Sequence, residues 1–231
     1  MFRSSVIALA LFGSASAFAP VARTFLTTSL SAKAKATAPQ PVANGWTPDS
    51  SKFAYGLPGS LEPVGEFDPL GLSTGLPLDV MKRYREAEVT HGRVAMLATI
   101  GFLVGENFHP LFDLDGKEIL GINSLTEVRE VFPYFFELLV IVIGAAELNR
   151  AIVGWNAPSD PNAGVNILRE DYYPGDIGFD PLGLKPTDAD EFNAIQTKEL
   201  QNGRLAMLAI AGFVAQELMD GKPILLNDFG I

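Results

Sequence analysis

EVTHGRVAMLATIGFLVGE, residues 88–106, occurs a second time in this chain as ELQNGRLAMLAIAGFVAQE, residues 199–217. With a shift of 111 positions, 10 of the 19 residues are identical. The hexapeptide FDPLGL stands unchanged before each copy, at 67–72 and 179–184. Because internal repeats mark one structural unit used more than once, the repeat predicts two equivalent helices related by a pseudo-twofold axis.

Each copy carries two opposite charges inside an otherwise apolar helix. Glu88 is followed five residues later by Arg93, and Glu199 by Arg204. Five residues turn a helix by about 140°, so the two charges of one copy cannot easily meet. We therefore predict reciprocal pairing, Glu88 with Arg204 and Glu199 with Arg93. The alternative is that these charges extend from the helix ends into a polar interface.

Small residues beside these charges would let the two helices approach closely enough to pair. They are Gly92, Ala95 and Thr99 in the first copy, with Gly203, Ala206 and Ile210 as their counterparts in the second.

Apolar periodicity, caps and prolines predict three helices, Asp79–Phe108, Glu130–Val153 and Ala189–Met219. Pro133 falls in the first turn of the second helix, where its missing N–H is tolerated. Asp188 or Thr187 is expected to cap the third. The segments outside the helices are predicted to be an extended surface segment, a polar loop, a long connection and a short apolar tail, at 38–80, 109–130, 154–189 and 224–226.

Length and composition favour a membrane protein. The chain is 48% hydrophobic, and its mean hydropathy is +0.21. Val94–Gly105 gives only 12 uncharged residues, but helices of about 25–30 residues reach about 37–45 Å, enough to cross a bilayer at a tilt. The expected fold is an all-α membrane protein with three transmembrane helices, in which the long first and third helices cross.

The first 48 residues contain no acidic residue and divide into two parts. Residues 1–17 have a basic start, an apolar run and an A-S-A end, which is typical of a signal peptide. Residues 18–37 are basic and hydroxyl-rich, as in a plastid transit peptide. Together they resemble the bipartite presequence of red-lineage plastids, with an ordinary signal peptide and linker as the alternative. The remaining domain would be 38–231.

Outside the presequence and the helix interiors, Lys and Arg are distributed unequally between the two sides, which predicts a stromal N-terminus by the positive-inside rule. One side carries Lys52, Lys82, Arg83, Arg85, Arg150, Arg169, Lys185 and Lys198, and the other carries Lys117, Arg129 and Lys222.

Composition excludes several function classes. The net charge is −10 and no segment is basic enough for nucleic acid. The absence of cysteine removes thiolate chemistry, and two histidines without a nucleophile nearby do not predict an enzyme. A small transporter is less favoured, because every intramembrane Glu has an Arg partner.

Isolated Lewis bases lie along the predicted helices: His91 three residues after Glu88, Asn202 in the same place after Glu199, then Gln216 and Glu147. Glu147 is expected to pair locally with Arg150. A protein metal site needs several ligands together. Single donors instead suit the magnesium of a chlorophyll, which needs one axial ligand. Taken singly, His91 could be a core histidine, and the amides could be interhelical hydrogen bonders.

Three segments resemble the helices of the chlorophyll-binding light-harvesting superfamily, and in particular fucoxanthin chlorophyll a/c antennae. They are E-x-x-H-x-R-x-A-M-L-A (Glu88–Ala98), G-A-A-E-L-N-R (Gly144–Arg150) and K-E-x-x-N-G-R-x-A-M-L-A (Lys198–Ala209). The resemblance covers residues 55–222 with the helices in order.

The resemblance implies a set of axial ligands to chlorophyll magnesium. They would be Glu88, His91, Glu147, Glu199, Asn202 and Gln216, with His109 as a further candidate and Arg93, Arg204 and Arg150 as ion-pair partners. Two departures are visible. Leu139 stands where plant relatives carry a glutamine ligand, and no histidine follows Gln216.

The resemblance also implies chlorophyll a, chlorophyll c, fucoxanthin and xanthophyll-cycle carotenoids, with carotenoid ends near the two FDPLGL loops. The expected function is transfer of excitation to a photosystem core, photosystem I rather than II. The expected partners are that core, neighbouring antenna subunits and thylakoid lipid. A photoprotective, energy-dissipating or pigment-carrying relative is the alternative.

Overall fold

The computed structural model describes residues 44–107, 120–157, 159 and 166–224. These residues form four α-helices: α1 (Leu78–Asn107), α2 (Ser124–Val131), α3 (Phe135–Gly154) and α4 (Ala189–Asp220). Short 3-10 turns lie at Phe53–Gly56 and Gly121–Asn123. Within this part of the chain, β-structure is limited to isolated bridges. The predicted presequence (1–17 and 18–37) and His109 lie outside the described residues.

The two long helices of the repeat agree with the sequence prediction. α4 begins after Asp188, whose carboxylate accepts the N–H groups of Asp190 and Glu191, both at 3.1 Å. It ends before Gly221, which has the left-handed φ of 61° that favours glycine. α1 begins one residue before the predicted Asp79, and its predicted end at Phe108 lies outside the described part.

α1 and α4 cross where two equivalent glycines face each other. A Cβ atom added at Gly92 would lie 3.1 Å from the Cα of Gly203, and one added at Gly203 would lie 3.0 Å from the Cα of Gly92. Ala95 and Ala206 are buried one turn further along. The predicted small-residue stripe therefore lies at the helix crossing, where only small side chains allow this approach.

The distal ends of the two helices exchange contacts. The Glu217 carboxylate accepts the backbone N–H groups of Gly121 at 3.1 Å and Ile122 at 2.8 Å, in the segment that follows α1. Glu106 on α1 accepts the N–H of Ile224, after α4, at 3.0 Å. Each copy thus uses its last glutamate to hold the segment that follows the other copy.

The prediction for the second helix was wrong at its start. Glu130 belongs to α2, and α3 begins only at Phe135. Pro133 lies between the two helices rather than in a first helical turn, since the residue before a proline avoids the helical conformation; Phe132 has φ −131° and ψ 88°. The described part of the predicted 109–130 loop is also largely helical, because α2 starts at Ser124.

The predicted extended surface segment is also only partly correct. Trp46, Ala54 and Leu57 are buried and pack with Met81 of α1 and Tyr173 of the α3–α4 connection. The ring of Trp46 meets Tyr173 edge to face, with centroids 5.7 Å apart. This cluster holds the segment before α1 and the α3–α4 connection beside the first turns of α1 and α4.

α3 is apolar and almost uncovered. Every residue from Glu137 to Asn149 is exposed. No single helix among the described residues is both long and apolar enough to cross a membrane alone. Gly121–Val131 and Phe135–Gly154 meet that requirement together, with a bend of 113° between them.

Candidate functional site

Both ion pairs predicted across the helix crossing are present in the structure. Arg204 Nε lies 2.7 Å from Oε1 of Glu88, and Arg93 Nε lies 2.6 Å from Oε1 of Glu199. All four side chains are partly exposed, between 28% and 40%. The pairing follows from the five-residue spacing, which directs each charge of one helix towards the other helix.

The same arginines also bind the segment before α1 and the α3–α4 connection. Arg204 Nη1 donates to the carbonyl of Gly59 at 2.6 Å, and Arg93 Nη1 donates to the carbonyl of Gly175 at 2.8 Å. Both glycines follow a proline, have positive φ, and leave no room for a Cβ atom. Each guanidinium therefore fastens one Pro-Gly turn to the ion pair beside it.

Sequence reasoning missed two buried charges next to these pairs. Arg85, which is 8% exposed, donates to the carbonyl of Pro58 and lies 3.4 Å from Glu88. Glu86, which is 3% exposed, accepts the N–H of Gly175 at 2.6 Å. The signal was the contrast between the copies, since Gln196 and Thr197 occupy the equivalent positions.

Glu86 also changes the chemistry of its neighbour Tyr172. The Tyr172 hydroxyl donates to Glu86 at 3.0 Å. Burial and the nearby carboxylate raise the pKa of Tyr172 well above its usual value, so the phenol stays a neutral donor.

His91 and Asn202 present one Lewis base each in the same way. Nδ1 of His91 lies 2.7 Å from the carbonyl of Ala87, and Nδ2 of Asn202 donates to the carbonyl of Lys198 at 3.0 Å. A carbonyl only accepts, so Nδ1 carries the proton, and in the neutral imidazole Nε2 keeps a lone pair. Both side chains are exposed. These bonds do not use Nε2 of His91 or Oδ1 of Asn202, which are the atoms that could bind a ligand.

Apolar side chains surround these two donors. Val94 and Leu97, three and six residues after His91 on α1, are 67% and 74% exposed; Leu205 and Leu208, at the same spacings after Asn202, are 67% and 75% exposed. A donor in the middle of uncovered apolar surface fits a large apolar ligand with a coordinated metal at its centre. Asn202 also lines a cavity of about 600 Å³ between α4 and the segment before α1.

The other candidate ligands are separated from one another. Glu147 on α3 is exposed and pairs with Arg150, whose Nη2 lies 2.7 Å from its Oε2. Gln216 on α4 is partly exposed, about 21 Å from Asn202 along the helix axis. Nowhere in the described part do three or more His, Cys, Asp or Glu gather as a metal cluster. The donors therefore fit groups that bring most of their own coordination with them.

The two FDPLGL loops have matching internal hydrogen bonds. Asp68 accepts the N–H of Leu72 at 2.9 Å and of Ser73 at 2.8 Å, and Asp180 accepts those of Leu184 at 3.0 Å and Lys185 at 2.9 Å. The Ser73 hydroxyl, together with these N–H groups, holds the pKa of Asp68 below its usual value, and the N–H groups of Lys185 and Leu184 do the same for Asp180.

The same turns direct large apolar side chains outwards. Phe179 is 79% exposed and lines a cavity of about 610 Å³ with Met96, Leu97 and Ile177. The cavity lies beside the Arg93 pair and offers an apolar surface for the end of an elongated ligand. The equivalent Phe67 is also exposed.

Comparison with known proteins gives these features a family. The family described as "Chlorophyll A-B binding protein" matches residues 53–218. A fucoxanthin-chlorophyll a-c binding protein of Isochrysis galbana is 49% identical over 174 residues, which are 74% of this chain and 81% of that protein. Light-harvesting complex stress-related protein 3.2 of Chlamydomonas reinhardtii is 47% identical over 190 residues, 80% of this chain and 72% of that protein.

A second fucoxanthin-chlorophyll a-c binding protein, from Chattonella marina var. antiqua, is 32% identical over 240 residues, covering 100% of this chain and 97% of that protein. The family match over residues 53–218 contains α1, α3 and most of α4, together with both ion pairs and both hexapeptide loops. The chain therefore belongs to the chlorophyll-binding light-harvesting family, whose members are pigment-binding proteins and not enzymes.

Proposed function

We propose that this chain is a light-harvesting antenna of the plastid thylakoid, which binds chlorophyll a, chlorophyll c and fucoxanthin and passes excitation to a photosystem core. The observation that carries the proposal is the matched presentation of His91 and Asn202. Each donates an N–H to its own helix, and its remaining Lewis base belongs to an exposed side chain with exposed apolar residues nearby on the same helix. The names of the relatives support the choice of pigments.

The proposed axial ligands to chlorophyll magnesium lie singly on the three long helices. On α1 they are Glu88 and His91, on α3 Glu147, and on α4 Glu199, Asn202 and Gln216. His109 is a further candidate. At Glu199, Arg93 binds Oε1 and neutralises the charge, so the other oxygen can bind magnesium without leaving a net charge in apolar surroundings. At Glu88, Arg204 binds Oε1, and the oxygen proposed to bind magnesium is Oε2, which also lies 3.4 Å from Arg85 Nε.

We further propose that α1, α3 and α4 span the thylakoid membrane, with α1 and α4 related by a pseudo-twofold axis and the N-terminus in the stroma. The exchanged ion pairs, the facing glycines and the exchanged contacts of Glu106 and Glu217 support this symmetry. The uncovered apolar surface of α3 supports its contact with lipid and pigment rather than with other helices. Residues 1–17 and 18–37 would direct the chain to the plastid and be removed.

In this proposal the bound pigments absorb light and transfer excitation, and no bond is made or broken. The protein fixes their separation and orientation. The Glu–Arg pairs hold the two long helices at one crossing, and the Pro-Gly turns fix the connections. The apolar cavity beside Arg93 would receive a carotenoid end at the exposed phenylalanine of the hexapeptide loop, with xanthophyll-cycle carotenoids as further occupants.

The direct test is assembly of the chain with chlorophyll a, chlorophyll c and fucoxanthin in detergent, followed by pigment analysis and fluorescence excitation spectroscopy. We expect a stable complex in which light absorbed by fucoxanthin and chlorophyll c produces chlorophyll a emission. A complex that binds the pigments without such transfer would contradict the antenna function.

A photoprotective role is the second candidate, because several relatives of similar identity are named stress-related proteins. The excited-state lifetime of the isolated complex separates the two functions. A long chlorophyll a lifetime favours harvesting, and strong shortening in the isolated, unaggregated complex favours dissipation.

For the partner we propose photosystem I, together with neighbouring antenna subunits and thylakoid lipid. Solubilised thylakoids separated on native gels provide the test. Co-migration of the chain with photosystem I supports the proposal, and co-migration with photosystem II alone contradicts it.

A further inference from the structure

We propose that Glu86 is a positioning residue that orients the Glu147 ligand through Arg150 and thereby fixes the docking of α3 on α1. This inference rests on the proposed function, because it takes Glu147 to be a pigment ligand.

Both carboxylate oxygens of Glu86 accept hydrogen bonds. Its Oε1 accepts Arg150 Nη1 at 3.1 Å, and its Oε2 accepts the Tyr172 hydroxyl at 3.0 Å and the Gly175 N–H at 2.6 Å. A carboxylate with only 3% of its surface exposed is costly unless donors surround it. These donors come from α3 and from the α3–α4 connection, so Glu86 joins both to α1.

Arg150 bridges the carboxylates of Glu147 and Glu86. Its Nε and Nη2 lie 2.9 and 2.7 Å from the same oxygen of Glu147, Oε2, while Nη1 is committed to Glu86. An isolated pair three residues apart on an exposed helix face is weak and samples several rotamers. Here the third nitrogen is fixed by a buried carboxylate, which fixes the guanidinium plane and leaves Oε1 of Glu147 as the outward oxygen.

α3 is attached to the rest of the described structure at its C-terminal end. Its residues 137–149 are exposed, whereas its C-terminal end is in contact: Tyr172 packs where a Cβ atom on Gly154 would lie, 3.0 Å from the ring, and the Gly154 carbonyl accepts the Arg169 N–H at 3.0 Å. The Glu86–Arg150 pair is the charged contact at this end. Tyr172 takes part in both contacts, so Glu86 and the helix end form one unit.

The repeat supplies an independent comparison. The position of Glu86 in the second copy is occupied by Thr197, whose hydroxyl donates to the backbone carbonyl of Asn193 in its own helix at 2.8 Å. Of the two copies, the one with the carboxylate is therefore the one that meets the middle helix. A general role in the α1–α4 clamp would require the residue in both copies.

The test uses the full-length complex assembled with chlorophyll a, chlorophyll c and fucoxanthin. Glu86→Gln keeps the side-chain volume but turns an acceptor oxygen into a donor facing other donors. We expect it to weaken pigment binding at Glu147 by about 10–100-fold, as is typical when the support of a ligand is removed. The low-temperature difference absorption spectrum should match that of Glu147→Leu, and the double variant should lose no further pigment.

Hydrogen–deuterium exchange gives a readout that does not depend on pigment spectra. In Glu86→Gln the amides of residues 150–157 and Gly175 should exchange faster than in the parent chain. Thr197→Val, at the equivalent position of the other copy, is the matched control and should leave both readouts unchanged. Arg150→Lys keeps the charge but cannot fork between two carboxylates, so it should give the same difference spectrum as Glu147→Leu and replaces Glu86→Gln if that variant fails to assemble.

The outcomes separate this proposal from the one it rests on. If Glu147→Leu retains every pigment, the ligand assignment fails and this inference fails with it. If Glu147→Leu loses a pigment but Glu86→Gln and Arg150→Lys lose none, the positioning role alone is overturned.

Discussion

The two halves of the α1–α4 crossing share one clamp and differ in the charge beside it. In both halves an arginine Nε binds a glutamate and its Nη1 binds the glycine carbonyl of a Pro-Gly turn. Next to the Glu88–Arg204 pair lies a second cation, Arg85; next to the Glu199–Arg93 pair lies an anion, Glu86. The repeated part of the molecule is therefore the clamp, and the unrepeated part determines what each half holds.

This difference explains how a duplicated unit can hold a single middle helix. The half with Arg85 fastens the segment before α1 through the Pro58 carbonyl. The half with Glu86 fastens the α3–α4 connection and, through Arg150, α3 itself. Two adjacent residues of opposite charge on α1 thus hold two different segments of the chain.

The largest effect is expected at the crossing that both halves share. Replacing both Gly92 and Gly203 by alanine places two methyl groups where the backbones lie closest. We expect a loss of about 3 kcal/mol or more, because overpacking combines with the separation of both ion pairs. The measurement is the midpoint temperature at which pigment circular dichroism is lost on heating.

The matched control for that variant is Gly101→Ala with Gly212→Ala, also equivalent positions of the repeat. An added Cβ atom meets nothing within 4 Å at either control position. A control as damaging as the crossing variant would contradict close glycine packing as the cause.

The next effect distinguishes the halves. Arg204→Leu leaves Glu88 with Arg85 at 3.4 Å, whereas Arg93→Leu leaves Glu199 without an ion-pair partner among the described residues. We expect both variants to lower the pigment yield on assembly, and Arg93→Leu to lower it more. Arg93→Leu should also lose about 1–2 kcal/mol more stability than Arg204→Leu, since removing one partner leaves the other charge unpaired.

Glu88→Leu, which removes the anion instead, should also lower the yield. The double exchange Arg93→Glu with Glu199→Arg serves as the control and should recover part of the loss. Equal losses in the two arginine variants would mean that Arg85 does not compensate Glu88.

The clamp was predictable because the repeat carries its own geometry. Two helices with Glu and Arg five residues apart can neutralise both charges only by exchange, and the glycine after His91 or Asn202 lies between them. The start of α3 was less accessible, although Phe132-Pro133 carried the signal: the restriction on a residue before proline outweighed the tolerance of proline in a first turn.

Glu86 could not be singled out in the same way. Its partners Arg150, Tyr172 and Gly175 lie 64, 86 and 89 residues away, and only the fold brings them together. The sequence contained one clue, the replacement of this acid by Thr197 in the second copy. The buried cluster around Trp46 was missed for a similar reason, because Pro and Gly marked its segment as a surface connection.

A smaller effect concerns the two exposed donors. His91→Phe and Asn202→Leu should each remove about one chlorophyll per chain and leave the fold intact, because each donor lies on the helix surface and its loss leaves no buried group unpaired. Pigment-to-protein ratios and far-ultraviolet circular dichroism measure the two properties.

Exchange of the donors sharpens the comparison between the halves. His91→Asn and Asn202→His should keep the chlorophyll and shift its absorption, since each new side chain can still donate to the carbonyl four residues back. Unchanged chlorophyll stoichiometry in both His91→Phe and Asn202→Leu would defeat the ligand assignment.

The smallest effect concerns the hexapeptide loops under acid. Asp68 and Asp180 have pKa values below the ordinary 3.8, so the hydrogen bonds they accept stabilise the loops above that pH and are lost only as pH falls below it. Asp68 also accepts the Ser73 hydroxyl, while Lys185, in the corresponding place, bonds Asp176 instead. The first loop should therefore persist to lower pH than the second, as measured by hydrogen exchange of residues 71–73 and 183–185 between pH 5 and pH 2.

Asp68→Asn and Asp180→Asn remove the titrating groups and should abolish the pH dependence of their own loop only. Simultaneous opening of the two loops in the parent chain would show that the serine adds nothing.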